Sequence, residues 1–141
     1  MGTTTKAEPA SQLWKLLRDA AFTSLREDFT ARAADCKLSL SQAKLVRELA
    51  HPQSQRELAR RLHYDPSNIT ALADSLEERG LLERRADRAD RRFRLLGLTS
   101  NGERLRAALE TSLSKPPAFL DRLTATEQQE LLRLLSRLFE P

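Results

Sequence analysis

A single cysteine, Cys36, rules out any disulfide within this 141-residue chain, and a reducing compartment is expected. Four glycines leave little room for a phosphate-cradling loop, and none of the usual nucleotide-binding motifs occurs. Aromatic residues make up only 5% of the chain against 40% hydrophobic, so Leu and Ala must fill the core, which suits helices better than sheets. No apolar run approaches the roughly 20 residues that span a bilayer. The N-terminus, M-G-T-T-T-K-A-E-P-A, has no apolar signal core. A cytoplasmic chain with no membrane partner is the resulting expectation. His51 and His63 are isolated from each other and from Cys36, which argues against a structural zinc site, so neither metal nor cofactor is expected. No nucleophile–base grouping or carboxylate pair stands at plausible spacing, and no enzyme activity is expected.

Charge is what the chain has in quantity: 24 Lys+Arg against 20 Asp+Glu, a formal +4. Its distribution carries more than its sum. Between Arg79 and Arg94, seven arginines (79, 84, 85, 88, 91, 92, 94) stand against Glu83, Asp87 and Asp90. One short segment thus holds an excess as large as that of the whole chain. Basic charge gathered in this way is the electrostatic footprint of nucleic-acid binding.

The hydrophobic pattern is mainly helical. Residues 1–10 read as a flexible tail. From Ser11 to about Ala34, Leu13, Leu16, Leu17, Ala20, Ala21, Leu25 and Phe29 recur at spacings of three and four, with Trp14 beside them. A helix this long has an apolar face that can meet more than one surface. Ser39 with Gln42 forms a capping-box signal for a helix carrying Leu45, Val46 and Leu49, which stops before Pro52. Ser54 with Glu57 opens a short helix with Leu58, Ala59 and Leu62 inward. Asp65 then caps a third helix with Pro66 at its first position, a stripe of Ile69, Leu72, Ala73 and Leu76, and Gly80 as a left-handed end. The last two helices are separated by little more than His63 and Tyr64, the layout of a helix-turn-helix. Two candidate strands follow, Leu82–Arg85 and Arg92–Leu98, joined as a loose hairpin by A-D-R-A-D-R. Thr99 starts a further helix, broken at Pro116-Pro117, and Thr124 with Glu127 starts the last, which runs through Leu131, Leu132, Leu134, Leu135, Leu138 and Phe139.

The exposed side of the third helix carries Ser67, Asn68, Thr70, Ala71, Asp74 and Ser75. An Asn side chain can pair with an adenine edge, and Thr or Ala methyls can pack on a thymine methyl. Taken alone, this is also an ordinary solvated helix face. The short helix before it and the arginine hairpin after it turn the reading toward DNA. At the hairpin tip, Arg88, Arg91 and Arg92 alternate with Asp87 and Asp90. An arginine gains from the negative potential of a narrow minor groove, and a neighbouring carboxylate can aim the guanidinium. Cys36 is expected to be a quiet structural thiol, with redox sensing through it as the alternative.

Several motifs in order carry a family resemblance: Leu38-Ser39-x-x-Gln42, Glu57-Leu58-Ala59, Ile69-Thr70, Leu76-Glu77-x-Arg79-Gly80-Leu81, Asp90-x-Arg92 and Leu98-Thr99-x-x-Gly102. Together the chain resembles the MarR family of transcription regulators over about residues 11–140. The resemblance implies a mainly α fold with a small β-hairpin wing, a winged helix-turn-helix acting as a homodimer. Residues 11–36 and 116–141 would be dimerisation helices, 37–99 the DNA-binding lobe and 100–115 a connecting helix. Leu13, Trp14, Leu17, Leu120, Leu123, Leu131, Leu135, Leu138 and Phe139 are the interface candidates. The recognition helix maps onto Pro66–Glu78, and the minor-groove arginine onto Arg92, oriented by Asp90. Many members carry a basic residue just after the recognition-helix threonine; here the position is Ala71, and residues 66–78 hold no Lys or Arg. More of the affinity is then expected from the wing and from Arg56, Arg60 and Arg61. The implied function is sequence-specific binding of double-stranded DNA, with repression at a pseudo-palindromic operator. A small lipophilic or anionic effector is a further option, with Arg18, Arg26, Arg47 and Arg104 as available cations. A winged-helix module that binds protein is the alternative from another class.

Overall fold

A computed structural model describes residues 7–140 of the chain. Its helical run begins at Ala7, four residues ahead of the expected Ser11, so residues 7–10 are helix where a tail was predicted. Pro9 is compatible with this because it falls in the first turn, where its missing N–H breaks no helical bond. Residues 1–6 of the predicted tail, and Pro141 at the end of the predicted C-terminal dimerisation segment, lie outside the described residues.

The predicted single N-terminal helix is interrupted. Helix α1 (Ala7–Lys15) passes into a π-helical segment (Leu16–Ala21) and then into α2 (Phe22–Asp35). At the junction the Phe22 N–H reaches five residues back to the Leu17 carbonyl. Lys37, in the left-handed region with φ 55°, turns the chain into α3 (Leu40–Glu48). Both halves of the capping box form there: Ser39 Oγ accepts from the Gln42 N–H at 3.1 Å, and Gln42 Oε1 accepts from the Ser39 N–H at 3.0 Å.

The wing is a three-stranded antiparallel sheet and not the two-stranded hairpin expected. Strand β1 is only Gln53–Ser54, followed by α4 (Gln55–Leu62) and α5 (Pro66–Glu78), then β2 (Leu82–Ala86) and β3 (Arg94–Leu98), in the order β1-β3-β2. Gln53 lies opposite Leu96 and Ser54 opposite Leu95, while Leu82 pairs with Leu98 and Ala86 with Arg94. Strand β3 starts two residues later than predicted, because Arg92 and Phe93 belong to the turn: the Phe93 N–H donates to the Asp90 carbonyl at 3.0 Å. Helix α6 (Ser100–Leu113), a 3₁₀ turn (Ala118–Arg122) and α7 (Ala125–Phe139) complete the chain.

The core belongs to the central lobe. Leu45, Val46, Leu49, Leu58, Ile69, Leu76, Leu82, Leu96 and Leu109 are fully buried, and α2 contributes only Ala33. The terminal helices are different. Helix α7 buries none of its residues, and Trp14, Phe22, Leu132 and Phe139 are each more than 60% exposed. Of the predicted interface residues, Leu13, Trp14, Leu131, Leu138 and Phe139 are exposed, and Leu17, Leu120, Leu123 and Leu135 are half-buried. Each large apolar side chain left wet forgoes about 1.5–3 kcal/mol of transfer free energy.

Candidate nucleic-acid interface

Helix α4 is capped by Ser54, whose hydroxyl accepts from the Glu57 N–H at 3.2 Å. It ends at His63, which takes φ 55° and reverses the chain in a left-handed turn. Asp65 supplies extended N-cap backbone to α5, yet its carboxylate makes no cap bond to the helix amides. The Ile69, Ala73 and Leu76 stripe pins α5 to the core and leaves the opposite face to solvent.

On that face the structure separates two groups. Thr70 Oγ1 donates to the Pro66 carbonyl at 3.1 Å and receives the Gln55 amide. Asp74 accepts from Arg84 at 2.6 Å, and Arg84 also pairs with Glu77, so one guanidinium from β2 clamps α5 to the wing. Ser75 Oγ donates to the Leu72 carbonyl at 2.9 Å and accepts from the Gln42 amide at 3.0 Å. Ser67, Asn68 and Ala71 are exposed, and no side-chain hydrogen bond is found for Ser67 or Asn68 among the described residues. Along α4, Arg60 pairs with Glu57 and Arg61 with Glu48 at 2.8 Å, whereas Arg56 is exposed with no ion pair among the described residues.

The wing tip is built from two successive aspartate turns. Asp87 Oδ1 accepts from the Ala89 N–H at 2.9 Å, and Asp90 Oδ1 from the Arg92 N–H at 3.1 Å. The Arg92 guanidinium then closes on the same carboxylate, Nε to Oδ1 at 3.0 Å and Nη2 to Oδ2 at 2.8 Å. Arg92 itself stays 86% exposed, so its free edge faces outward. The guanidinium first and the Arg92 backbone N–H second hold the Asp90 carboxyl below its ordinary range, and the same contact raises Arg92. Arg88 and Arg91 are exposed beside it, with no ion pair among the described residues. Two features here are absent from the sequence reading. One is the Arg84 clamp, whose partners lie on a different element. The other is Phe93, 61% exposed between Arg92 and Arg94, which an aromatic inside an arginine run could have signalled.

Residues 37–92, from the start of α3 through the wing tip, match the model of the MarR family. The fold is shared along nearly the whole chain with solved structures. MarR from E. coli in its apo form gives a TM-score of 0.76 at 21% identity, covering 90% of this chain and 96% of that one. The transcriptional regulator BldR from Sulfolobus solfataricus gives 0.66 at 25%, covering 95% and 99%. A mutant of S. aureus MepR bound to an oligodeoxyribonucleotide gives 0.65 at 18%, covering 89% and 94%. The central lobe thus matches the MarR family, within a fold that this chain shares with MarR-type winged-helix proteins. MarR-family proteins are transcription regulators rather than enzymes, and the match over the central lobe supports a DNA-binding regulator.

The fold is that of a MarR-type winged helix, and a cleft lies apart from the wing tip. A cleft of about 560 Å³ opens between α2, α3 and the α4–α5 turn, with Phe22, Leu25, Phe29 and Leu40 as apolar walls and Arg26 and Lys44 as cations. Tyr64, hydrogen-bonded to Ser41 across 3.1 Å, also lines it. Of the four arginines named from sequence, only Arg26 lines this cleft. Arg18 is bound to Asp19, Arg104 to Asn101, and Arg47 pairs with Glu110 at 2.7 Å while lying over the Phe29 ring. Cys36 is half-buried against the core. Among the described residues, no helix is long and apolar enough to cross a membrane.

Proposed function

We propose that this chain is a MarR-family regulator, a homodimeric repressor that occludes a promoter by inserting α5 into the major groove of each half-site and Arg92 into the adjoining minor groove. The observation that carries this reading is the wing tip: an exposed guanidinium held in one direction by Asp90, beside a helix-turn-helix. Phosphate contacts from Arg56, Arg88 and Arg91 supply sequence-independent affinity, and α5 supplies discrimination. Titration of a genomic-fragment pool over a range of salt tests it. The logarithm of the affinity should fall linearly with the logarithm of salt concentration, with a slope set by the number of phosphates neutralised. Failure to bind any duplex in dilute buffer sinks the reading.

The uncovered apolar faces of α1, α2 and α7 support the dimer. Because α7 has no fully buried residue in its own chain and Leu131 and Leu138 are exposed, charge placed on them costs the monomer fold little. The double variant Leu131→Glu with Leu138→Glu should therefore sediment as a folded monomer with native helicity and greatly weakened operator binding. A double variant that remains dimeric by analytical ultracentrifugation defeats the assignment of α7 to the interface.

The cleft suits a small lipophilic carboxylate, with Arg26 and Lys44 for its charge and the Phe22 and Phe29 rings for its body. Tyr64 immediately precedes Asp65 and Pro66, so an occupant that displaces its ring moves the start of the recognition helix.

A further inference from the structure

We propose that the DNA surface of this chain selects A·T pairs in both grooves and takes no favourable contact from guanine. The proposal rests on the docking reading above and adds which bases are read.

In the major groove guanine presents two acceptors, N7 and O6, and is matched by a side chain that only donates, Arg or Lys. Helix α5 has neither anywhere in Pro66–Glu78. Arg84, the guanidinium bonded to α5, is occupied by Asp74 and Glu77 and is only 23% exposed, and Arg79 stands at the C-cap, past the far end of the helix. The Gln55 amide is likewise engaged by the Pro66 carbonyl and Thr70. The exposed carboxylate of Glu78 stands at the far end of the helix, about 18 Å from its start at 1.5 Å per residue, and would repel guanine acceptors. What remains free near the N-terminus is Ser67, Asn68 and Ala71. An Asn amide donates and accepts, which matches adenine N6 and N7 as a bidentate pair. Ala71, three residues on and on the same side of the helix, offers a methyl that packs on the thymine methyl.

The minor groove leads to the same preference. Arg92 is aimed by Asp90 before DNA arrives. An inserted guanidinium favours the narrow, strongly negative groove of A·T tracts, and the guanine 2-amino group both widens that groove and adds a competing donor.

The test uses duplexes selected by the protein itself from a random pool, with base analogues placed one position at a time. Replacing any guanine by 7-deazaguanine, which removes N7, should change affinity less than twofold. Replacing A·T by G·C under the wing should weaken binding about tenfold. Inosine·C at the same positions should restore it, since that pair keeps the major-groove face of G·C and the minor-groove face of A·T. Asn68→Ala should lower the preference for adenine at one position per half-site by tenfold or more, with unchanged melting, because the side chain has no partner in the fold. A tenfold loss on 7-deazaguanine substitution, failure of inosine to rescue, or an unaltered base preference in Asn68→Ala each overturns the proposal. A protein that enriches no duplex from the pool instead overturns the docking reading on which it rests.

Discussion

Arg92→Ala should weaken operator binding about 30-fold or more and leave the fold untouched. The side chain is 86% exposed and, among the described residues, hydrogen-bonds to Asp90 alone, so its removal exposes no core and strands no buried partner. A specific groove contact by arginine is worth about 1–3 kcal/mol, and a dimer loses two of them, which gives a range of roughly 30-fold to 10⁴-fold. Anisotropy titrations of the variant on a fixed duplex, alongside its thermal melt, separate the two effects. Arg92→Lys keeps the charge but cannot pair with both oxygens of Asp90, so it should recover only part of the loss. The pH dependence has a definite sign. Asp90 is held below its ordinary range, so the aimed geometry is fully present above that range and is lost only as pH falls through the lowered value. The Arg92 contribution is therefore flat across neutral pH. Equal binding by Arg92→Ala and the parent protein would remove the wing from the mechanism.

The largest expected effect on stability comes from Gly102→Ala. Gly102 sits buried in the first turn of α6, where its N–H donates to the Thr99 hydroxyl at 3.1 Å. A β-carbon there would be driven into the Leu81 carbonyl oxygen while standing 3.0 Å from the Leu81 carbonyl carbon and 3.1 Å from the Leu98 β-carbon. That carbonyl cannot swing aside freely, because it accepts the Thr99 N–H at 3.1 Å, and the Thr99 hydroxyl also holds the Gly80 carbonyl at 2.6 Å. The clash is with backbone, so relief requires α6 to move away from the turn between α5 and β2. A cost of about 3 kcal/mol or more is expected, at the upper end of overpacking substitutions. Gly80→Ala is the informative comparison. Nothing lies within 4 Å of its added carbon, and only φ 69° opposes it, a cost of about 1–2 kcal/mol. Chemical denaturation should rank Gly102→Ala as the more damaging. The reverse order would mean that the α6 junction has slack the packing does not show.

What the sequence revealed and what it concealed divide by range. Ser39 with Gln42, Thr124 with Glu127, Thr99 and Gly80 punctuate helices through bonds spanning a few residues, and all four do so in the structure. The Asp90–Arg92 pair was equally local. Strand β1 escaped notice because two residues carry no alternation, and their partners on β3 lie some forty positions away. The internal engagements of Thr70, Asp74 and Ser75 depend on Gln55, Arg84 and Gln42, each on another element, so a helical wheel could show only that these side chains are polar. Asp65 is the reverse case: a favoured cap residue at the right place whose carboxylate leaves the helix amides alone.

The π-helical turn at Leu16–Ala21 has a geometric effect that reaches beyond its six residues. Each residue of an α-helix advances the azimuth by about 100°, so a locally wider turn offsets the sectors on its two sides. The side chains of Leu13 and Trp14 thereby address a different compass bearing from those of Leu25 and Phe29 than an unbroken helix would give. In the proposed dimer, where both stretches would meet the other subunit, that offset would enter the angle at which the two copies cross. The span between the paired α5 helices, and with it the operator half-site spacing that can be read, would then depend on a helical dislocation remote from any base pair.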